Sequence, residues 1–216
     1  VVIGSGELFG VRLPENFRQP FFSQSISEFW TRWHITLGAW FRDYIFYPLS
    51  MSKRMKRPAD FARKHFGTHY GPILTGSIAP FCVWFCNGLW HGPEWKYIFF
   101  GLYHFVLIFC GTLIKPVFAR LTETVSIHHG RIPLKLFRIV RTFLLVCIGE
   151  LFFRAATLTD GLHMMLKMIT DFSLSFLTDG RLFSLGMDQK DFFITAVALG
   201  MVLLVSILRE RHVPIR

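Results

Sequence analysis

The sequence predicts an all-α, multi-pass membrane protein with about four membrane helices and one amphipathic or in-plane helix. Three observations carry that prediction. Hydrophobic residues make up 52% of the chain and aromatic ones 17%, with 25 Phe, more apolar surface than one soluble core of this size usually holds. A bilayer accepts such surface on the outside of helices. Apolar runs of roughly membrane length recur, at Pro72 to Trp90, Tyr97 to Ile114 and Phe192 to Leu208, given a rise of about 1.5 Å per residue. Finally, the net charge of +10 is gathered into blocks between the apolar runs. That distribution is the positive-inside pattern, not the basic, aromatic-lined groove of a nucleic-acid binder.

Taken in order, Val1 to Pro20 holds Gly4, Gly6, Gly10, Pro14 and Pro20 and reads as the tail of an earlier helix followed by a loop. The chain opens without Met and is expected to be a piece of something longer. Ser25 and Glu28 have the spacing of a capping box, which starts a helix by satisfying its free amides. From Glu28 to Tyr47 the pattern is amphipathic, with Trp30, Trp33, His34, Leu37 and Phe41 on one face and Arg32, Thr36 and Asp43 elsewhere. Its charges favour an interfacial or protein-packed helix over a lipid-facing span, and Pro48 is expected to end it.

Met51 to His65 reads as a basic linker. A fourth apolar stretch, Thr142 to Phe153, is short and is expected to extend back to Leu136 and Phe137; Glu150 within it must face protein or a polar cavity. With the linker cytoplasmic, four crossings place the block from Lys115 to Arg141 and the end from Arg209 to Arg216 on the same side. The loop Arg154 to Asp191, rich in Asp, falls outside. His91 then lies near the extracytoplasmic end of its helix.

His91 is the residue where chemistry is expected. It closes the stretch Pro72 to Pro93, which contains no Asp, Glu, Lys or Arg, and an ionisable group beside a membrane segment is a functional hypothesis by default. Asn87 lies one helical turn earlier on the same face, placed to orient the imidazole or a substrate. Gly88 and Gly92 permit close approach of a helix or ligand. Read as structure alone, the same string is a helix end with an interfacial histidine and a tryptophan belt of Trp84, Trp90 and Trp95.

His34, on an aromatic face, and His104, in an apolar run, read by themselves as core residues, His104 as a hydrogen-bond donor in helix packing. The remaining histidines carry no signal. Cys82, Cys86, Cys110 and Cys147 sit in apolar runs as small hydrophobes, with neither a disulfide framework nor zinc spacing, so no metal site is predicted. Hydrolase elbow, Walker loop, dinucleotide fingerprint and H-E-x-x-H are all missing from the sequence, which leaves direct transfer with an imidazole base as the reaction class.

A family resemblance rests on particular strings. These are Asn16-Phe17 with Pro20-Phe21; Glu28-Phe29-Trp30-Thr31-Arg32-Trp33-His34-Ile35-Thr36-Leu37; Trp40-Phe41-Arg42-Asp43-Tyr44 with Tyr47-Pro48-Leu49; and Gly88-Leu89-Trp90-His91-Gly92. Arg141-Thr142-Phe143 and Leu151-Phe152-Phe153-Arg154-Ala155 follow. Together they resemble the membrane-bound O-acyltransferase family, in the bacterial branch of alginate O-acetylation and teichoic-acid D-alanylation proteins. Ser50-Met51-Ser52 departs from the two glycines of many alginate-type members.

The resemblance implies that residues 1–216 form part of a single membrane domain in a bacterial plasma membrane. It implies that His91 is essential for acyl transfer and that His34 is a second functional histidine near the same tunnel. Trp33, Asn87 and Trp90 are expected to shape the passage and orient reactants, with Arg42 and Asp43 a structural ion pair. No bound cofactor is expected. The donor would be a cytoplasmic thioester, acetyl-CoA or an acyl carrier protein. The acceptor would be a polysaccharide or teichoic acid outside, and an extracytoplasmic accessory transferase is implied as a partner. The alternatives are D-alanyl transfer and a non-enzymatic transport or assembly component.

Overall fold

In the computed structural model, which describes residues 2–124, 132–175, 179–181, 183 and 186–211 and side chains outside 117–124, the chain is helical wherever it is regular, apart from a lone antiparallel bridge between Phe17 and Trp33. His128, His129, Arg131, His212 and Arg216 lie outside the described residues. The chain forms two compact units, Val1–Leu162 and His163–Arg216.

The first unit opens with α1 (Val2–Leu8) and a 3-10 turn at Pro20–Phe22. Ser25 then caps α2 (Ile26–Arg32), its hydroxyl accepting from the Glu28 amide at 3.1 Å. The Glu28 carboxylate reaches back to the Gln24 amide, 2.9 Å, and holds Arg32 at 2.7 Å. The helix starts where the S-x-x-E spacing places it, although the reciprocal bond goes one residue further upstream.

The expected single helix from Glu28 to Tyr47 is instead broken at His34, which adopts a left-handed conformation at φ 50°, ψ 50°. The cause is the upstream strand-like segment. The Arg18 amide donates to the Arg32 carbonyl at 2.9 Å and the Ile35 amide to the Asn16 carbonyl at 3.1 Å. Those bonds take groups that a continuous helix would pair within itself. The chain resumes as α3 (Ile35–Phe41), a π-helical stretch at Arg42–Phe46 and α4 (Tyr47–Ser50). Pro48 sits in the first turn of α4, where its missing amide costs nothing, so it begins that short helix and does not end the long one. Arg42 and Asp43 approach to 3.7 Å as an exposed pair.

The basic segment is helical too. After a 3-10 turn at Lys53–Met55, α5 (Lys56–Gly76) contains a sharp reversal at Gly67, φ 76°, ψ 179°. A side chain added at Gly71 would meet the Arg63 backbone at 2.6 Å, so the two arms of α5 lie against each other. Beyond the reversal, Ser77 keeps helical bonds on both sides and the run continues into α6 (Ile78–His91). From Thr68 to His91 this makes a helix of about 36 Å, enough to cross a bilayer.

Next come α7 (Trp95–Thr124) and α8 (Ile132–Arg154). Gly88 and Gly101 set the crossing of α6 and α7: a Cβ on Gly88 would lie 2.5 Å from the Tyr97 carbonyl, and one on Gly101 would strike the Trp84 carbonyl. Helices with small residues at the contact pack backbone to backbone. Among the described residues, three stretches are long and apolar enough to cross a membrane, within Lys53–His91, Trp95–Pro116 and Gln189–Glu210. The fourth expected crossing does not qualify on composition. Its helix, α8, has the length but carries Lys135, Arg138, Arg141, Glu150 and Arg154, and Glu150 is half-buried.

Helix α9 (Leu158–Thr170) begins at Thr157, whose hydroxyl accepts from the Asp160 amide at 3.1 Å. It occupies part of what reads in sequence as an external loop. In the second unit, α10 (Gln189–Glu210) starts with a reciprocal box in which Asp188 accepts from the Asp191 amide, 2.9 Å, and Asp191 from the Asp188 amide, 3.1 Å.

Candidate active site

His91 is the last residue of α6, and the turn after it decides what surrounds it. Gly92 takes φ 151°, and a Cβ there would touch the Tyr97 ring at 2.9 Å. Only glycine combines that backbone angle with that contact. The turn folds the start of α7 back over the imidazole, with Tyr97 and Phe100 at ring-centre distances of 6.3 and 6.1 Å. Phe153 of α8 closes in edge-on at 4.8 Å and Trp90 at 4.6 Å. Lys96 holds this arrangement: its ammonium donates to the Ala155 carbonyl at 3.0 Å and lies 3.6 Å from Glu94. The bond ties the first turn of α7 to the end of α8, where Phe153 projects.

His34 also packs against Trp90. Its ring stands 5.8 Å from the indole at 87° and 6.0 Å from Phe17. The two motif histidines, remote in sequence, thus meet the same tryptophan. Asn16 sets His34 in place. Its side-chain oxygen accepts from both the Thr36 amide, 2.9 Å, and the Thr36 hydroxyl, 2.7 Å. Because His34 itself makes no capping bond, Asn16 is the borrowed N-cap of α3. The Nδ1 atom of His34 is buried without a hydrogen-bond partner.

The other expected site residues divide. Trp90 is 54% exposed and touches both imidazoles. Asn87 is buried one turn below His91, with its side-chain oxygen unpartnered; it makes no hydrogen bond to the imidazole. Trp33 points away into a phenylalanine cluster, stacked on Phe29 at 5.5 Å and edge-on to Phe17 at 4.9 Å. Trp30, expected on the face of His34, lies against His104 at 4.9 Å. Neither His34 nor His91 hydrogen-bonds a carboxylate among the described residues; both sit among aromatic rings. Among the described residues no group of three or more His, Cys, Asp or Glu gathers to hold a metal.

The sequence reading passed over Tyr97, Phe100 and Phe153 as neighbours of His91. Three members of the string Leu151 to Ala155 have a place here: Phe152 is 1% exposed, Phe153 covers His91, and the Ala155 carbonyl receives Lys96. The Arg141 string is similar, Arg141 donating to the Gln24 carbonyl at 3.0 Å and Phe143 meeting Phe21 at 5.8 Å. His104 is fully buried between α2, α6 and α8, with both ring nitrogens lacking a partner; it donates no packing hydrogen bond.

No protein-family model matches the chain. Curated relatives do. The chain is 34% identical over 187 residues to the probable alginate O-acetylase AlgI of Azotobacter vinelandii, covering 86% of this chain and 32% of that protein. It is 35% identical over 112 residues to the teichoic acid D-alanyltransferase of Bacillus subtilis, covering 50% and 25%. To the peptidoglycan O-acetyltransferase of Helicobacter pylori it is 28% identical over 169 residues, 78% and 27%. The chain therefore spans about a quarter to a third of the length of these relatives. Apolar helices of membrane length and these relatives together make the chain a membrane protein of the membrane-bound O-acyltransferase family.

Proposed function

We propose that the whole protein transfers an acyl group, acetyl in the first instance, from an activated thioester to hydroxyls of a cell-envelope polysaccharide, with His91 as the base. The single observation that supports this best is the meeting of His34 and His91 on Trp90 inside a wall of aromatic rings. The acceptor hydroxyl gives its proton to the neutral His91 imidazole while its oxygen attacks the thioester carbonyl. The carbon–oxygen bond forms, the carbon–sulfur bond breaks, and the departing sulfur takes the proton back from the imidazolium. Base catalysis of this kind contributes roughly 10² to 10⁴ in rate, and orientation supplies much of the remainder. His34 and Trp90 shape the passage and orient the reactants, and Asn87 offers an acceptor one turn below.

The relatives named as O-acetylases and D-alanyltransferases support this chemistry and a multi-pass place in a bacterial plasma membrane. A cytoplasmic donor, acetyl-CoA or a carrier-bound thioester, and an extracytoplasmic accessory transferase belong to the same proposal. The test compares ester-linked acetyl and D-alanine on envelopes of cells expressing wild type or His91→Ala at equal levels. Loss of one ester in the variant supports the assignment and names the acyl group; full retention of both overturns it.

A further inference from the structure

The folded-back α5 forms an open cavity of about 420 Å³ against the chain before it and the first turns of α6, lined by Ser52, Met55, Lys56, Ala59, Arg63 and Thr75 among others. Its volume lies within the roughly 300–1,000 Å³ of ligand sites. Lys56 and Arg63 make no ion pair among the described residues, and the lone carboxylate of the hairpin, Asp60, is not in the lining. The Ser52 oxygen accepts from the Arg54 amide at 3.2 Å, which leaves its hydroxyl proton to give.

The apolar part of the lining comes from Met55 and Ala59 beside the cations and from Pro72 and Ala79 on the returning helix. Pro72 and Ala79 belong to the helix that crosses the membrane, near the end where it begins. Phe61, Phe66 and Tyr70 are exposed on the same hairpin, as aromatic residues are at a membrane surface. The cavity thus combines two cations and a hydroxyl with apolar side chains, beside the start of the helix that is long enough to cross a membrane.

We propose that this cavity is a site for the phosphate of an anionic phospholipid, Lys56 and Arg63 pairing with the phosphate while the apolar wall receives the start of the acyl chains. The site does not depend on the acyl-transfer reading. Arg63 is placed by the Gly71 contact on its own backbone, so the cavity is formed before any lipid arrives.

The test uses the full protein, purified in detergent, stripped of lipid and titrated with phosphatidylglycerol or phosphatidylcholine by native mass spectrometry. Wild type is expected to hold one phosphatidylglycerol in preference to phosphatidylcholine. Lys56→Gln with Arg63→Gln should weaken it by roughly tenfold or more, two charge-assisted contacts being lost. Arg54→Gln with Arg57→Gln removes equal charge from the same hairpin outside the lining and should change it less than about twofold on the same scale. Ala59→Leu, which fills the cavity without altering charge, should also expel the lipid, and covers the case in which the double variant fails to fold. Equal loss in the control pair, equal retention of phosphatidylcholine, or displacement of phosphatidylglycerol by millimolar inorganic phosphate would overturn the proposal, the last by reassigning the site to a soluble phosphate.

Discussion

Asn16→Ala tests whether a residue outside the histidine motifs governs one of them. Asn16 contributes two bonds to Thr36, at 2.9 and 2.7 Å, and holds the left-handed His34 against the start of α3. Losing an N-cap oxygen costs about 0.5–2 kcal/mol, and a left-handed non-glycine residue is itself worth about 1–2 kcal/mol of strain that only its surroundings restrain. A bias of one to two kcal/mol changes the ratio of placed to misplaced His34 by roughly 5- to 30-fold. In a chain of this size the same energy shifts Tm by only about 2–4 °C per kcal/mol. Turnover should therefore fall about tenfold, by the conversion of about 1.4 kcal/mol per decade, while the protein stays folded. The assay is ester formation per mole of purified protein beside a melting curve in the same detergent. Asn16→Asp keeps an acceptor and should restore most of the rate. Turnover within twofold of wild type in Asn16→Ala, or an equal defect in Asn16→Asp, would refute the reasoning.

Gly101→Ala places a methyl against the Trp84 carbonyl and should cost about 1–3 kcal/mol of stability as an overpacked contact, seen as a lowered Tm. His104→Phe replaces two buried, unpartnered nitrogens with a ring of similar shape. Since each such group costs about 1–3 kcal/mol, Tm should hold or rise, and a clear fall would mean that these nitrogens have a partner in the working protein. Lys96→Met removes the bond to the Ala155 carbonyl, freeing Phe153 from its place over His91. Turnover should fall more than Tm, and Lys96→Arg should recover part of it.

How far the sequence could be read follows from how local each signal is. Ser25, Glu28 and the apolar run before His91 act within a turn or a helix, so spacing and composition reveal them. The break at His34 is hidden because the apolar positions around it keep a helical period; what breaks the helix is the backbone of Asn16 and Arg18, on another segment, pairing with Ile35 and Arg32. The reversal at Gly67 was missed for a similar reason: a lone glycine in a polar, basic stretch looks like linker, and only the contact of Gly71 with Arg63 shows two helices back to back. The ring wall over His91 draws on α7 and α8, which no window on the sequence joins. The family strings did contain Phe153 and Asn16, but a resemblance names residues without saying what they touch.

The fold at Gly67 uncouples how much helical sequence there is from how deep it reaches. Taken as one unbroken helix, residues 53–91 would make a very long crossing that sinks six cations into oil. Because the first arm returns alongside the second, an epitope inserted before Lys53 and one inserted near Phe66 should both face the same compartment, and reporter fusions scored on helix length alone would assign the wrong side to every segment upstream.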